Sequence, residues 1–295
     1  MKKFRRWAVT LPPYLWMLVF FLLPFFIVFR ISLSDSVIGI PPYQPLLHAS
    51  DGWIGIKNFF NALDFDNYTF IMGDNLYFKA YLSSLKIAFI STILTLLVSY
   101  PIAYGMACAP QKWQPTLLML EIMPFWTSFL IRIYALIGIL SDTGLLNQIL
   151  LRLGIINTPL VLMNTQIAVY IGIVYAYSPF MILPIYSALE KMDGSLIEAA
   201  TDLGCSRIKA FWLVTLPLSK RGVIAGCFLV FVPVVGEFVI PSLLGGSNTL
   251  MIGRVLWDEF FSNKDWATAS AVAVLLLLVL IVPILAYQRF EESEQ

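Results

Sequence analysis

Uncharged apolar runs such as WMLVFFLLPFFIVF and AVAVLLLLVLIVPILAY recur along the 295-residue chain, and no other feature constrains its fold more. A helix needs roughly 20 consecutive apolar residues to cross a bilayer. Charged residues make up only 13% of the sequence, about half the usual share of a soluble domain. The pattern predicts an all-α, polytopic integral membrane protein with six transmembrane helices. The spans fall at about 14–31, 85–107, 117–140, 167–189, 223–243 and 267–287. They form one transmembrane domain over 14–287, with an N-terminal segment 1–13 and a tail 288–295.

The start, MKKFRRW before an apolar run, has the outline of a signal peptide. Its uncharged stretch Trp7–Phe29 is too long for an h-region and no small-residue cleavage site follows, so it reads as a retained first span. Lysine and arginine placement orients the chain. With the N-terminus inside, Lys2, Lys3, Arg5, Arg6, Lys112, Lys191, Arg207, Lys209, Lys220, Arg221 and Arg289 are cytoplasmic. Only Lys57, Lys79, Arg152, Arg254 and Lys264 fall outside, so both termini are expected in the cytoplasm.

The outer connections are Ser32–Tyr81, Ser141–Gln166 and Leu244–Trp266. The first is net acidic through Asp35, Asp51, Asp64, Asp66 and Asp74, which suits a cationic solute or an ordinary solvated surface. Ile252–Trp266 is expected to form an amphipathic helix at the outer face. Pro24, Pro101, Pro124, Pro179, Pro184, Pro233 and Pro241 lie in or beside spans, where a missing N–H interrupts or kinks a helix. Cys108, Cys205 and Cys227 form no C-x-x-C pair, and His48 sits in a polar loop; neither points to a metal or a disulfide framework. No sustained basic patch argues for nucleic acid.

The longest predicted cytoplasmic connection, 190–222, carries the most information. Ser195-Leu-Ile-Glu198 has capping-box spacing, and Asp193 and Glu198 suit a helix start. Leu196, Ala200 and Leu203 share one face, and Gly204 is placed to end the helix in the left-handed conformation. A second helix follows with an apolar stripe of Ile208, Phe211 and Trp212, stopped by Leu216-Pro217. Such a unit either lies on headgroups or docks on a soluble protein; its acidic first half favours the dock.

Glu198-Ala199-Ala200, then Gly204, Val214 and Leu216-Pro217 match the signature loop of binding-protein-dependent ABC importer permeases, with Val214 where isoleucine is commoner. The runs LPPYLWMLVFFLLPFFIVFRISL, PFWTSFLIRIYALIGIL, VYAYSPFMILPIY, VGEFVIPSLLGG, IGRVLWDEFF and DWATASA extend the likeness over nearly the whole chain. It resembles the spermidine/putrescine permease family, and within it the first permease of putrescine importers. The resemblance implies a type I ABC importer permease fold, a second homologous permease as partner, two copies of an ABC ATPase and a periplasmic polyamine-binding protein. It also implies docking of the ATPase on Glu198, Ala199, Ala200, Asp202, Gly204, Arg207, Leu216 and Pro217.

No G-x-x-x-x-G-K-[ST] occurs, so the chain offers no phosphate cradle. ATP and Mg are expected in the ATPase, with no cofactor on this chain, and no catalytic cluster marks it as an enzyme. For the solute path, ionisable residues within spans come first: Glu121 and Arg132 in the third, Glu237 in the fifth. Glu121 and Arg132 are separated by about 16 Å along a helix and do not pair. Glu237 either contacts cargo or makes a structural pairing. For a polycation, carboxylates and aromatic faces are the expected groups; Trp126, Tyr134, Tyr175, Tyr177 and Trp257 are candidates, each otherwise an interfacial anchor. Another solute on the same architecture, such as an iron chelate or thiamine, remains an alternative. So does an ion-driven secondary transporter, although the 190–222 loop has no role there.

Overall fold

Because apolar helices satisfy their own backbone, helices dominate the architecture. The computed structural model describes residues 2–46, 57, 59, 61–246 and 249–293, with the side chains of 2–9, 286, 287 and 290–293 excepted. His48 and Asp51 lie outside the described residues. In chain order, α1 (Lys2–Met17) runs through a π-helical turn, Leu18–Leu22, into α2 (Leu23–Ile31). A two-residue ladder, β1 (Asp35–Ser36) with β2 (Tyr43–Gln44), departs from an all-helical chain. Then come α3 (Asp66–Gly73), α4 (Asn75–Ala107), α5 (Gln114–Ile122), α6 (Phe129–Leu140) and α7 (Leu145–Arg152). After α8 (Gln166–Glu190) follow α9 (Ser195–Asp202), α10 (Arg207–Ala210), α11 (Leu216–Leu218) and α12 (Lys220–Val235). The last are α13 (Val239–Leu244), α14 (Ile252–Trp257) and α15 (Trp266–Ser293).

Among the described residues, five helical stretches are long and apolar enough to cross a membrane: Thr10–Ile31, Asn75–Ala107, Phe129–Arg152, Gln166–Glu190 and Trp266–Leu285. A bent pair, Arg207–Leu218 with Lys220–Val235, makes a sixth if counted as one span. Two of the predicted spans are not continuous helices. Within 117–140 the helix gives way to a 3₁₀ turn at Met123–Trp126, and Thr127 is extended before α6 begins. Pro124 has no N–H to continue the ladder, and its own carbonyl is taken by the Thr127 N–H (3.2 Å) and hydroxyl (2.8 Å). Within 223–243 the helix stops at Val235, and Gly236–Phe238 leave helical geometry. The 16 residues of α12 reach about 24 Å, short of the roughly 30 Å of hydrocarbon.

By contrast, α4 and α8 run unbroken through Pro101, Pro179 and Pro184, so those prolines interrupt nothing. At Pro179 the orphaned carbonyl four residues earlier, on Tyr175, accepts the Ser178 hydroxyl at 3.3 Å. This is the local rescue that lets proline stay inside a buried helix.

The chain divides into two compact units, residues 1–79 with 255–295, and 80–254. In the first, α15 packs on α2 and α3. Polar groups tie the loop to it: Asn67 Nδ2 donates to the carbonyls of Ser32 (3.1 Å) and Ser34 (2.8 Å), and the Ser32 hydroxyl meets Tyr68 Oη at 2.6 Å. Arg30, an ionisable span residue that the sequence argument passes over, donates from Nη2 to the Pro45 carbonyl (3.1 Å) with its guanidinium 4.7 Å from the Phe59 ring. The connection 32–81, expected at the outer face, is partly helical, holding α3 and the first turns of α4. The expected helix over Ile252–Trp266 ends earlier, after a π-helical turn at Asp258–Ser262. Lys264 takes a positive φ of 57°, and the Asp265 carboxylate accepts the Thr268 N–H (2.9 Å), so Trp266 already opens the next helix.

The second unit is built on α8 and α12, its most extensive helix pair. Gly222 and Gly226 make the contact possible. A Cβ on Gly222 would lie 2.5 Å from the Pro184 carbonyl oxygen, and one on Gly226 would lie 2.7 Å from Met181 Sδ. This is small-residue packing at G-x-x-x-G spacing, where backbone approach replaces the hydrophobic drive absent in lipid. Beside it, α4 turns inward a face of Ser84, Ala88, Ser91, Thr92, Thr95 and Ser99, all buried. Thr92 and Thr95 hydroxyls return to carbonyls one turn back at 2.7 Å each, whereas the buried Ser91 hydroxyl has no hydrogen-bond partner among the described residues.

Candidate functional site

The 190–222 connection folds as a capped helix–bend–helix. Its first helix is not closed by the predicted capping box: Ser195 is already helical, and the Asp193 carboxylate accepts the Ser195 N–H at 2.9 Å. The Glu198 N–H goes to the Gly194 carbonyl instead of Ser195 Oγ. An aspartate two residues upstream reaches the first free amide without the strain of a reciprocal box, and so prevails. That bond holds the Asp193 carboxyl below the usual carboxylate range, through the Ser195 amide first and its side chain second. Since the ionised form is the one held in the fold, this cap is intact above the ordinary carboxylate pKa. It is lost only as pH falls through the lowered value.

At the other end, Gly204 adopts φ +83° as its position predicts. The Cys205 N–H donates to the Ala200 carbonyl (3.0 Å) and the Gly204 N–H to the Thr201 carbonyl (2.9 Å), which is the Schellman closure. Gly204→Ala is expected to cost about 1 kcal/mol of local stability, since only glycine takes this backbone freely. Faster amide exchange across 200–206, with the rest of the chain unchanged, is the readout.

Ser206 starts the second helix, its hydroxyl accepting the Lys209 N–H at 3.4 Å. The helix does not stop at Leu216-Pro217. A π-helical turn at Phe211–Thr215 leads into α11, and the chain bends by 63° only after Leu218. The wider turn carries the carbonyls ahead of Pro217 away from its ring and absorbs the missing donor. The predicted stripe of Ile208, Phe211 and Trp212 also divides. Phe211 turns inward, edge-on to Tyr100 (5.7 Å) and Tyr104 (5.6 Å) of α4. Tyr100 Oη and Ser219 Oγ, both buried, meet at 2.9 Å and pin the bend. Ile208 and Trp212 stay exposed with Leu213 and with Leu203, which is 89% accessible.

Glu198 and Arg207 face a cavity of about 340 Å³ between the two helices, lined also by Tyr104, Ile197, Thr201, Phe211 and Thr215. Ala199 and Asp202 are exposed beside it, Ala200 is half-buried, Leu216 half-buried and Pro217 exposed. The surface is therefore an acidic and small-residue knob with a rim of uncovered large apolar side chains. Apolar groups left bare between charged ones mark an interaction surface.

Within the spans, a hydrogen bond joins two of the path candidates, Tyr177 and Glu237. Tyr177 donates its hydroxyl to Glu237 Oε2. Glu237 Oε1 accepts the N–H groups of Phe238 (3.1 Å), Val239 (2.9 Å) and Ile240 (3.4 Å). Tyr177 continues an aromatic row: Phe180 at 6.0 Å, then Phe125 edge-on at 5.1 Å, with the Arg132 guanidinium 5.7 Å from the Phe125 ring. Phe125 and Phe180 are exposed members of this row that the sequence argument missed, although both lie in PFW and SPF motifs beside prolines. Arg132 pairs with rings, not with a carboxylate, and its Nε has no hydrogen-bond partner among the described residues. Trp126 is 72% exposed on the third-span break and Tyr134 is exposed on α6. Trp257 meets Phe261 with tilted rings 4.1 Å apart, and Tyr175 is exposed on α8.

The profile of the family described as "Binding-protein-dependent transport system inner membrane component" matches residues 78–291. The spermidine/putrescine transport system permease protein PotB of Escherichia coli (strain K12) is 46% identical over 224 residues, covering 76% of this chain and 81% of its own. The permease of the same name from Haemophilus influenzae is 38% identical over 288 residues, 97% of this chain and 94% of its own. In structure, the chain is similar to a bacterial ABC transporter involved in import of the acidic polysaccharide alginate. That match has a TM-score of 0.70 and 15% identity, and covers 99% of this chain and 96% of the other.

Proposed function

Because the chain belongs to the family of binding-protein-dependent transport system inner membrane components, a multi-pass inner-membrane group, we propose that it is the permease subunit of an ATP-driven importer for polyamines, putrescine or spermidine. In this reading a binding protein delivers the solute outside, and a second permease shares the path. An ATPase pair docks inside on Glu198–Pro217, so ATP and Mg are bound there and not here. Counting the bent pair as one span gives six, with both termini in the cytoplasm.

One observation carries the reading: a rigidly capped knob with bare Leu203, Ile208, Trp212 and Leu213 on a segment otherwise charged. A surface helix resting on lipid needs basic residues along its polar face, and Asp193, Glu198 and Asp202 stand there instead. A docking partner that moves this knob moves α12, to which it is joined through Ser219. Nucleotide drives the motion by binding one of two arrangements better than the other.

For the solute, the relatives' names supply the polyamine, and the exposed rings of Phe125 and Phe180 beside Tyr177 supply faces a cation can meet. The test is ATP-dependent uptake of labelled putrescine by the reconstituted transporter, with competition by other solutes. Putrescine and spermidine are expected to compete; failure of both rejects the polyamine assignment. Phe180→Ala is expected to raise the apparent KM about threefold to tenfold, the scale of one cation–π contact.

A further inference from the structure

Glu237 has so far been counted as a cargo candidate, because a lone carboxylate inside a span is ordinarily the first place to look for a transported cation. Its surroundings argue otherwise. The residue is 8% exposed. It sits where Gly236–Phe238 interrupt the helix, so the first amides of α13 have no carbonyl one turn earlier. Left in hydrocarbon, each such amide is costly. Oε1 takes three of them, on Phe238, Val239 and Ile240, and Oε2 takes the Tyr177 hydroxyl from α8. An ionised carboxylate offers about two acceptor sites on each oxygen; three amides share Oε1, and Oε2 takes the tyrosine hydroxyl.

The far side of the break is held as well. A Cβ on Gly253 would lie 2.3 Å from the Gly236 carbonyl oxygen and 2.8 Å from that of Glu237, so α14 lies directly against this backbone. The N–H of Ile252, next to it, donates to Ser84 Oγ on α4 at 2.7 Å. The break is clamped between α8, α14 and α4, with the carboxylate at its centre.

We infer that Glu237 is a positioning residue: it fixes the half-helix Val239–Leu244 against the broken span and does not pair with the transported cation. This rests on the transport reading above, but its core is a statement about backbone amides. What the site requires is an acceptor of the right length, not a charge. Glutamine keeps one carbonyl oxygen for the three amides, and its NH₂ donates to the Tyr177 oxygen, whose hydroxyl rotates to accept. Alanine removes that acceptor.

The experiment uses the assembled transporter, with hydrogen–deuterium exchange over 236–246 and uptake of labelled putrescine measured on the same preparations. Glu237→Ala is expected to speed exchange at Phe238–Ile240 about tenfold, the usual scale of a lost helix cap. It lowers the maximal uptake rate while the apparent KM stays within about twofold, whereas Glu237→Gln stays near the parent in both measurements. If Glu237→Gln raises KM as a lost cation contact does, and exchange is unchanged, the inference is overturned. If Glu237→Ala does not accumulate, Glu237→Gln alone decides it. If the parent carries no polyamine, the solute assignment falls, and exchange in the alanine and glutamine variants still separates the two roles.

Discussion

Gly222→Leu is expected to destabilise the second unit strongly by forcing α12 away from α8. The new Cβ arrives 2.5 Å from the Pro184 carbonyl oxygen and 2.7 Å from the Ala188 Cβ, and neither belongs to a flexible side chain. Backbone has to move, at about 1–3 kcal/mol for ordinary overpacking and more where a carbonyl is the obstacle. Gly226 provides the internal control. There the nearest atom is Met181 Sδ at 2.7 Å, the mobile end of a long side chain, although the Met181 carbonyl follows at 3.2 Å. Gly226→Ala should therefore cost less than Gly222→Ala in thermal unfolding of the detergent-solubilised protein. The reverse order would mean that α8 and α12 are not held by this contact.

Glu198→Arg is expected to have the largest effect on transport. Glu198 is exposed on the knob, where it lines the cavity together with Arg207, so the variant should fold. Reversing a charge at the centre of a docking surface costs about 2–4 kcal/mol, which corresponds to roughly 30- to 1,000-fold in the coupled step. Uptake should collapse while the ATPase, measured alone, keeps its basal rate. Stimulation of hydrolysis by loaded binding protein should disappear with it. Normal coupling in this variant would remove the docking role from the loop.

Several of these features are legible in the amino acids and several are not, for reasons specific to each. Gly204 can be read because a glycine after a helical face has one common use, and φ +83° is that use. The helix starts one residue earlier than a Ser195 cap would place it, because Asp193 is an equally good acceptor and its carboxylate takes the Ser195 amide. Gly236 and Glu237, set between Pro233 and Pro241, mark an irregular backbone, which the structure places at 236–238; hydropathy alone scores Val234, Val235, Phe238 and Val239 alike whether or not their amides are bonded. Pro233 and Pro241 flank it but carry the same sign as Pro179 and Pro184, which break nothing. Whether the orphaned carbonyl finds a new donor decides, and at Pro179 the neighbouring Ser178 hydroxyl supplies one locally. The Gly222–Gly226 spacing was available as a packing signal. Its counterpart face on α8 was not, since Pro184 and Met181 have no distinguishing pattern. The inward turn of Phe211 follows from Tyr100 and Tyr104, more than a hundred residues earlier.

The 63° corner after Leu218 has a mechanical meaning of its own. The arm before it, Arg207–Leu218, is about 18 Å long, and α12 beyond it is about 24 Å. With the corner pinned by Tyr100 and Ser219, the two arms behave as a bell crank. A rotation of about 10° moves the Arg207 end by about 3 Å and the Val235 end by about 4 Å. A small push on the Arg207 end thus arrives beside the Glu237 break as a slightly larger sideways stroke, delivered in a different direction.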